Sequence, residues 1–162
     1  RRRGHHRAGV GVATAGATVL AASGWLGGHL AYALGVGVDT TAFQKYPTHW
    51  TDVAAEEAVR APRALAADAA GVPVLLVRTE NGIVALADRC THRGAPLHQG
   101  NVLDGCITCP WHGSRFALAD GAVERGPATR PQPRLEVRIR AGRVQVRRIG
   151  ELRSLRTNPA GV

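Results

Sequence analysis

The hydrophobic residues are distributed differently in the two parts of the chain. Residues 8–38 form a run of 31 positions without a lysine, arginine, aspartate or glutamate. An α-helix needs about 20 mainly apolar residues to cross the hydrocarbon core of a bilayer. The run therefore predicts one transmembrane helix over about residues 8–30, with Trp25 and Tyr32 towards one interface, where aromatic side chains are enriched.

Three other interpretations of this run stay open: a buried helix of a soluble protein, a cleaved signal peptide and a twin-arginine export signal. A helix of this length is hard to bury in a small β domain, and a signal peptide has a shorter apolar core. Arg1-Arg2-Arg3-Gly4 lacks the residues that usually follow a twin-arginine pair. The small residues at Gly24 and Gly28 favour close packing of a membrane helix against other helices.

From about residue 51 the pattern changes to short apolar or alternating runs separated by turn residues. Asn81-Gly82 lies between the apolar runs 72–79 and 83–87, which predicts a β-hairpin. Residues 134–140 alternate apolar and charged side chains, turn at Ala141-Gly142 and return through Val144 and Val146. This pattern predicts a second hairpin with one solvated face.

The rest of the pattern sets the expected boundaries. A first strand is expected near residues 51–54, whereas the alanine-rich and acid-rich stretch 54–70 fits either a short helix or an irregular arm. We therefore expect a mainly β protein with one N-terminal transmembrane helix. Its parts are a membrane segment at 1–38, a connector at 39–50, a β domain at 51–149 and a flexible tail at 150–162.

Two short motifs carry the candidate chemistry. Cys90-Thr91-His92 and Cys109-Pro110-Trp111-His112 are separated by sixteen residues, and each offers one thiolate and one imidazole. This ligand set holds a [2Fe–2S] cluster in which one iron takes both sulfurs and the other takes both histidine nitrogens. The candidate cofactor-binding and metal-binding residues are Cys90, His92, Cys109 and His112. A structural zinc site is the alternative, because zinc accepts the same donors.

The longer strings at residues 90–97 and 109–116 resemble the Rieske [2Fe–2S] family, and specifically its ferredoxin and oxygenase-type branch. The resemblance covers about residues 50–149. It implies a small antiparallel β-sandwich with two cluster-binding loops, one [2Fe–2S] cluster, and an oxidoreductase-type electron carrier with no substrate-converting site of its own. Whether such a chain counts as an enzyme is left open.

Three positions differ from the other branch of that family, found in cytochrome bc complexes. That branch has a disulfide where this chain has Ala95 and Trp111, and a tyrosine whose hydroxyl bonds a ligand sulfur where this chain has Phe116. A ligand sulfur that accepts fewer hydrogen bonds gives a lower potential. The resemblance therefore implies a lower potential than that of the bc-type centres.

Three further residues invite a function. Cys106 lies in the apolar run 106–108, which predicts a strand, and we expect it in the core. His98 is expected to be an exposed polar residue. Residues 24–39 also resemble the end of an uncharacterised four-helix bacterial membrane domain, which implies that the chain begins within a longer protein. His29 would then be a haem or quinone contact or, alternatively, an interfacial polar residue.

The charge and the aromatic content of the chain restrict the classes of binding partner that we expect. The net charge is +9, with 20 arginines among 21 basic residues, but aromatic residues make up only 4%. Single-stranded nucleic-acid binding relies on stacking aromatics, so we expect no nucleic-acid partner. Anionic lipid near the membrane and acidic redox proteins are the partners that this charge favours.

The position of the β domain relative to the membrane receives conflicting signals. Arg1, Arg2, Arg3 and Arg7 favour a cytoplasmic N-terminal side, which would place the β domain outside. The free Cys106 and the usual cytoplasmic assembly of iron–sulfur clusters favour the cytoplasmic face of a bacterial cell membrane, which we adopt.

The expected function is membrane-anchored one-electron transfer from a reductase or quinol donor to an unidentified acceptor. The alternatives are the ferredoxin component of a Rieske-type oxygenase system and a membrane redox sensor.

Overall fold

The computed structural model describes residues 2–150, with side chains from residue 5 onward. The chain forms two compact units, one extending to Val36 and the other starting at Gly37. The predicted tail at 150–162 lies outside the described residues, apart from Gly150.

The first unit is a single long helix. An α-helix, α1, spans Arg2–Gly28, and a π-helical turn continues it over His29–Ala33. Within the described residues, this is the one helix that is both long enough and apolar enough to cross a membrane. None of the residues in its most apolar stretch is buried. A core helix of a soluble protein would be mostly buried, whereas a membrane anchor and a signal sequence both fit this length and composition. The predicted helix over residues 8–30 is confirmed.

The second unit is an antiparallel β structure of ten strands. Their bounds are β1 Thr51–Ala55, β2 Ala64–Asp68, β3 Pro73–Thr79, β4 Gly82–Ala87, β5 Asn101–Leu103, β6 Cys106–Thr108, β7 Arg115–Ala117, β8 Val123–Arg125, β9 Arg134–Arg140 and β10 Arg143–Arg148. Six strands form one sheet in the order β1-β10-β9-β4-β3-β2, and four form a second sheet in the order β5-β6-β7-β8. The predicted mainly β, antiparallel fold is confirmed.

Both predicted hairpins are present in the larger sheet. In the first, Val77 pairs with Val84 across the Asn81-Gly82 turn. In the second, Ile139 pairs with Val144. The short strand predicted at residues 106–108 is also confirmed as β6.

The expectation of a short helix or an irregular arm over residues 54–70 is wrong for the second half of the stretch, which contains a strand. The stretch has one 3₁₀ turn at Glu56–Ala58, followed by strand β2, in which Leu65 pairs with Leu76 of β3. Alanine favours a helix in isolation, but propensity is a weak prior that tertiary pairing overrides. The apolar β3 supplies that pairing here.

Strand β3 connects two hydrophobic cores because both of its faces are buried. Val74 and Leu76 belong to a core formed with the other strands of the larger sheet. Leu75 and Val77 belong to a second core, which joins the two sheets. Its remaining buried members from the sheets and loops include Leu86, Leu97, Ile107, Phe116 and Leu118. This second core also contains Cys90 and Cys109, so both candidate thiols lie where the sheets meet.

Candidate iron–sulfur centre

The two motifs form loops with the same backbone pattern. In loop 1, which follows β4, the N–H of Cys90 donates to Ala95 O (2.9 Å) and the N–H of Gly94 donates to Cys90 O (2.8 Å). In loop 2, between β6 and β7, the N–H of Cys109 donates to Ser114 O (2.8 Å) and that of Gly113 to Cys109 O (3.1 Å). Each loop therefore closes around its cysteine in the same way.

A glycine makes this closure possible in both loops. Gly94 and Gly113 stand four residues after their cysteines, with φ of 74° and 72°. L-residues with a side chain rarely adopt such values, whereas glycine does so at little cost. The sequence pattern of the two motifs, in which a glycine follows the histidine closely, thus reflects a backbone requirement of the loops.

The loops bring the two histidines together. The ring centroids of His92 and His112 are 5.0 Å apart, and the rings are nearly perpendicular. Burial lowers the pKa of His92, and the neighbouring His112 and Arg93 lower it further. His92 is therefore neutral at pH 7, which is the form that binds a metal.

The two cysteines are also neighbours, and both are almost completely buried. Burial and, to a smaller extent, the adjacent Cys109 thiol raise the pKa of Cys90 to about 11. Metal binding requires thiolates, so the Cys90 thiol needs the positive charge of bound iron to ionise at neutral pH. A buried disulfide is not formed, and all three cysteines are free.

One atom of the site indicates that the site binds a metal. Nδ1 of His92 is buried and has no hydrogen-bond partner within the described part of the chain. An unpaired buried polar atom costs about 1–3 kcal/mol, and coordination to iron would remove that cost. The donors present therefore fit a [2Fe–2S] cluster.

The same donors fit a structural zinc site less well. Structural zinc requires four ligands around a single ion. A Rieske centre needs only two protein ligands at each iron, which is consistent with the two separate pairs seen here.

Gln132 holds loop 1 from the downstream side. Its Nε2 donates to Ala87 O (2.8 Å) and Arg89 O (2.6 Å), and its Oε1 accepts from the N–H of Thr91 (3.3 Å). Gln132 itself is held at Gly121, because its N–H donates to Gly121 O (2.7 Å). The two backbones are so close that a Cβ at Gly121 would lie 2.0 Å from Gln132 O. Sequence reasoning missed Gln132, whose only signal is a position between two prolines.

The connector holds loop 1 from the upstream side. Thr40 Oγ1 donates to Cys90 O (2.8 Å), and the N–H of Thr40 donates to Thr91 O (3.0 Å). The N–H of Gly37 donates to His92 O (3.3 Å). The carbonyls of three successive loop residues thus accept hydrogen bonds from Thr40 of the connector and from Gly37, which precedes it. The sequence did not indicate these bonds.

Loop 2 is anchored by the neighbouring chain segments. Nε and one terminal nitrogen of Arg125 donate to Gly113 O at 3.2 and 2.9 Å. The buried Ser114 hydroxyl oxygen accepts from the N–H of Ala128 (3.0 Å). These contacts fix the residues that immediately follow His112.

The other residues considered in the sequence lie outside this ligand group. The expectation that His98 is an exposed polar residue is wrong, because His98 is half-buried and its Nδ1 lies 2.7 Å from Oδ2 of the buried Asp88. Cys106 is buried, as predicted. His29 lies in the first unit, where its ring stacks on Trp25 with centroids 5.6 Å apart.

Comparisons with known proteins agree with this geometry. The chain is 38% identical over 74 residues to the human apoptosis-inducing factor 3. The matched region is 46% of this chain and 12% of that protein. It is 41% identical over 81 residues to the cytochrome b6-f complex iron-sulfur subunit 2 of Nostoc, covering 48% of this chain and 44% of that one. The chain thus spans less than half the length of these two relatives.

A smaller relative is covered more fully. The anthranilate 1,2-dioxygenase ferredoxin subunit of Burkholderia cepacia is 35% identical over 74 residues, which are 46% of this chain and 68% of that one. Among solved structures, the ferredoxin of carbazole 1,9a-dioxygenase from Nocardioides aromaticivorans IC177 is 25% identical with a TM-score of 0.57, covering 62% of this chain and 98% of that one.

A sequence model of a whole protein family also matches the chain. The sequence model described as the Rieske [2Fe-2S] domain matches residues 49–147, which is more than half of the chain and includes both loops. Homologues with this domain bind one [2Fe–2S] cluster and transfer one electron at a time. The chain therefore belongs to the Rieske [2Fe–2S] domain family, binds one such cluster and transfers single electrons through it.

Proposed function

We propose that this protein is a membrane-anchored carrier of single electrons. Cys90 and Cys109 hold one iron, and His92 and His112 hold the other. The observation that carries the proposal is the convergence of two buried thiols and two imidazoles on loops of identical backbone pattern. When bound, the cluster supplies a site that takes up and releases one electron.

The residues around the cluster have distinct tasks in this proposal. The buried second core keeps water away from the two cysteines, which protects the iron–sulfur bonds. His112 is exposed, so it offers the path by which an electron reaches or leaves a partner. Gln132, Thr40 and Arg125 keep the two loops in place through backbone carbonyls.

The helix at Arg2–Gly28 supports the membrane part of the proposal. Its length, its composition and its lack of buried residues suit a bilayer. We assign residues 1–38 to the membrane segment, 39–50 to the connector, 51–149 to the cluster domain and 150–162 to a tail. We place the cluster domain on the cytoplasmic face of a bacterial membrane. Retention in the membrane fraction after a carbonate wash supports the anchor, whereas release into the soluble fraction contradicts it.

A second candidate is the ferredoxin component of a Rieske-type oxygenase system. The likeness to two dioxygenase ferredoxins favours it. So does Phe116, which is fully buried and offers no hydroxyl to the cluster. The donor would then be a reductase and the acceptor an oxygenase, whereas the likeness to a cytochrome b6-f subunit favours a quinol donor.

The test is an electron paramagnetic resonance spectrum of the dithionite-reduced full chain in detergent, with a redox titration of the same signal. A rhombic signal typical of mixed cysteine and histidine ligation is expected. A midpoint near the lower end of the Rieske range, which extends from roughly −150 to +300 mV, favours ferredoxin-type transfer, and one several hundred millivolts higher favours quinol chemistry.

A matched pair of variants tests the ligands. Cys90→Ser should abolish the signal together with bound iron and acid-labile sulfide, because it removes one of two thiolates. Cys106→Ser serves as the control, since Cys106 is buried but belongs to neither loop. Iron and sulfide retained in Cys90→Ser, or zinc found in the wild type instead of iron, would refute the ligand assignment.

A further inference from the structure

We propose that the redox partner docks on the cluster-bearing end of the second unit through an acidic surface. This proposal rests on the electron-transfer function proposed above and identifies the kind of partner. Both loops carry positive charge, and loop 2 also carries an exposed apolar side chain.

The four-stranded sheet has a basic end and an acidic end. Loop 2 joins the end of β6 to the start of β7, and at this end Arg115 pairs directly with Arg125 of β8. The turns at the opposite ends of β6 and β7 contain Asp104 and Asp120. Three-residue strands separate the two ends by about 10 Å. Positive charge is therefore concentrated beside the cluster loop.

Arg125 fixes this charge next to a ligand. Its guanidinium donates two hydrogen bonds to Gly113 O, and Gly113 directly follows His112. The adjacent Glu124 is the extra residue of a β-bulge, because Arg115 pairs with Arg125 and Phe116 pairs with Val123. The two hydrogen bonds to Gly113 O keep the charge of Arg125 at loop 2.

Arg115 strengthens the argument because its position is unfavourable in isolation. Like charges directly opposite each other on antiparallel strands are destabilising. Nε of Arg115 is also buried and has no hydrogen-bond partner within the described residues. An anionic group brought against this end of the sheet would relieve the repulsion between the two guanidinium groups.

Loop 1 contributes positive charge on the other side of the cluster site. Arg93 is exposed and follows His92 directly. Asp88, two residues before Cys90, is buried and bonds His98. The exposed Arg93 therefore places positive charge beside the ligand His92.

Loop 2 also carries an exposed apolar side chain. Trp111 is 58% exposed, and its ring lies 6.4 Å from that of His112. Tryptophan and arginine are enriched in protein interfaces, where a desolvated centre is surrounded by a polar rim. Because electrons leave through the exposed His112, the partner that binds this surface must hold a redox centre. An acidic redox protein fits these conditions, whereas a lipid headgroup fits only the charge.

The test uses two small oxidants of opposite charge, hexacyanoferrate(III) and tris(1,10-phenanthroline)cobalt(III). Each accepts one electron from the reduced cluster, which returns to the oxidised state, while iron(III) becomes iron(II) or cobalt(III) becomes cobalt(II). We expect the rate with hexacyanoferrate to fall about tenfold between about 0.01 and 0.15 M salt, as the Debye length shrinks from about 30 to about 8 Å. The rate with the cobalt complex should rise.

Substitutions locate the charge that causes this preference. Arg93→Gln and Arg125→Gln should each lower the ratio of the anionic to the cationic rate severalfold, while Arg125→Lys keeps the charge and retains most of the ratio. Arg143→Gln removes the same charge at the far end of the β9–β10 hairpin and should leave the ratio unchanged. The ratio cancels any change in driving force, because both oxidants report on the same cluster potential.

Each possible result decides the matter. A ratio in Arg125→Gln that is no lower than that in Arg143→Gln, or opposite salt trends, would overturn the acidic-partner proposal while leaving electron transfer intact. The rate ratios of the wild type and Arg125→Gln are also compared in lipid vesicles. If they differ in phosphatidylcholine vesicles but not in phosphatidylglycerol vesicles, the surface binds lipid and the acidic-partner proposal is overturned as well. A chain that neither oxidant re-oxidises would refute the electron-transfer function itself.

Discussion

Gln132 provides a sharp test of how loop 1 is held, through the substitution Gln132→Ala. The side chain is 1% exposed and makes three hydrogen bonds, two of them short, to backbone groups of residues 87–91. A typical intramolecular hydrogen bond contributes about 1 kcal/mol net, and a buried group left unpaired costs about 1–3 kcal/mol. The substitution should therefore lower the free energy of unfolding by about 3 kcal/mol.

The assay is urea unfolding of the full chain in detergent, followed by far-ultraviolet circular dichroism and by the visible absorbance of the cluster. Urea slopes of about 1–3 kcal/mol/M for small proteins convert this loss into a midpoint shift of about 1–3 M. The absorbance should disappear first, because Gln132 holds the loop that contains Cys90 and His92.

The matched control is Gln145→Ala. Gln145 also bonds two partners, Arg138 and Asp52, but on the more exposed face of the β9–β10 hairpin. Surface substitutions of this kind change stability by about 0.5 kcal/mol or less. Equal midpoints for the two variants would refute the reasoning, because the buried carbonyls of loop 1 would then not depend on Gln132.

Three further predictions concern the core of the site and its supports. Phe116→Tyr should raise the midpoint potential in the redox titration, provided that the new hydroxyl donates to a ligand sulfur, and a lowered potential would contradict this. Gly121→Ala should destabilise the fold by several kcal/mol in thermal unfolding, since its Cβ would meet a carbonyl at 2.0 Å. Gly142→Ala is the control, because Gly142 has a similar positive φ but open space where a Cβ would lie. An equal loss of stability in the two variants would show that backbone strain alone matters. Thr40→Val should cost about 1 kcal/mol by removing the bond to Cys90 O, and an unchanged melting temperature would show that the connector does not support loop 1.

The sequence predicted those parts of the fold that depend on local signals. The Asn81-Gly82 and Ala141-Gly142 turns, with alternating residues on either side, correctly located both hairpins of the larger sheet. Strand β2 was missed because its alanines favour a helix. The hydrophobic pattern of β2 also gives no sign that the strand pairs with β3. Pairing between strands is a tertiary property that a local pattern does not contain.

The candidate site divides in the same way. The cysteine–histidine motifs are short and local, so the sequence predicted them by residue number. Gln132 and Thr40 act over 41 and 50 residues on backbone groups, which leave no mark in the side-chain pattern of loop 1. His98 was misjudged for a similar reason, because its partner Asp88 lies ten residues away on the other side of the loop.

The way in which loop 1 is held has a consequence for the biogenesis of the protein. Its two supports come from residue 40, long before the loop, and from residue 132, long after it. During synthesis, which proceeds from the N-terminus at about 5–20 residues per second, the first ligand pair is complete several seconds before its second support exists. We therefore expect iron–sulfur delivery to follow translation of the whole β region, with the cysteines remaining as free thiols in the nascent chain until then.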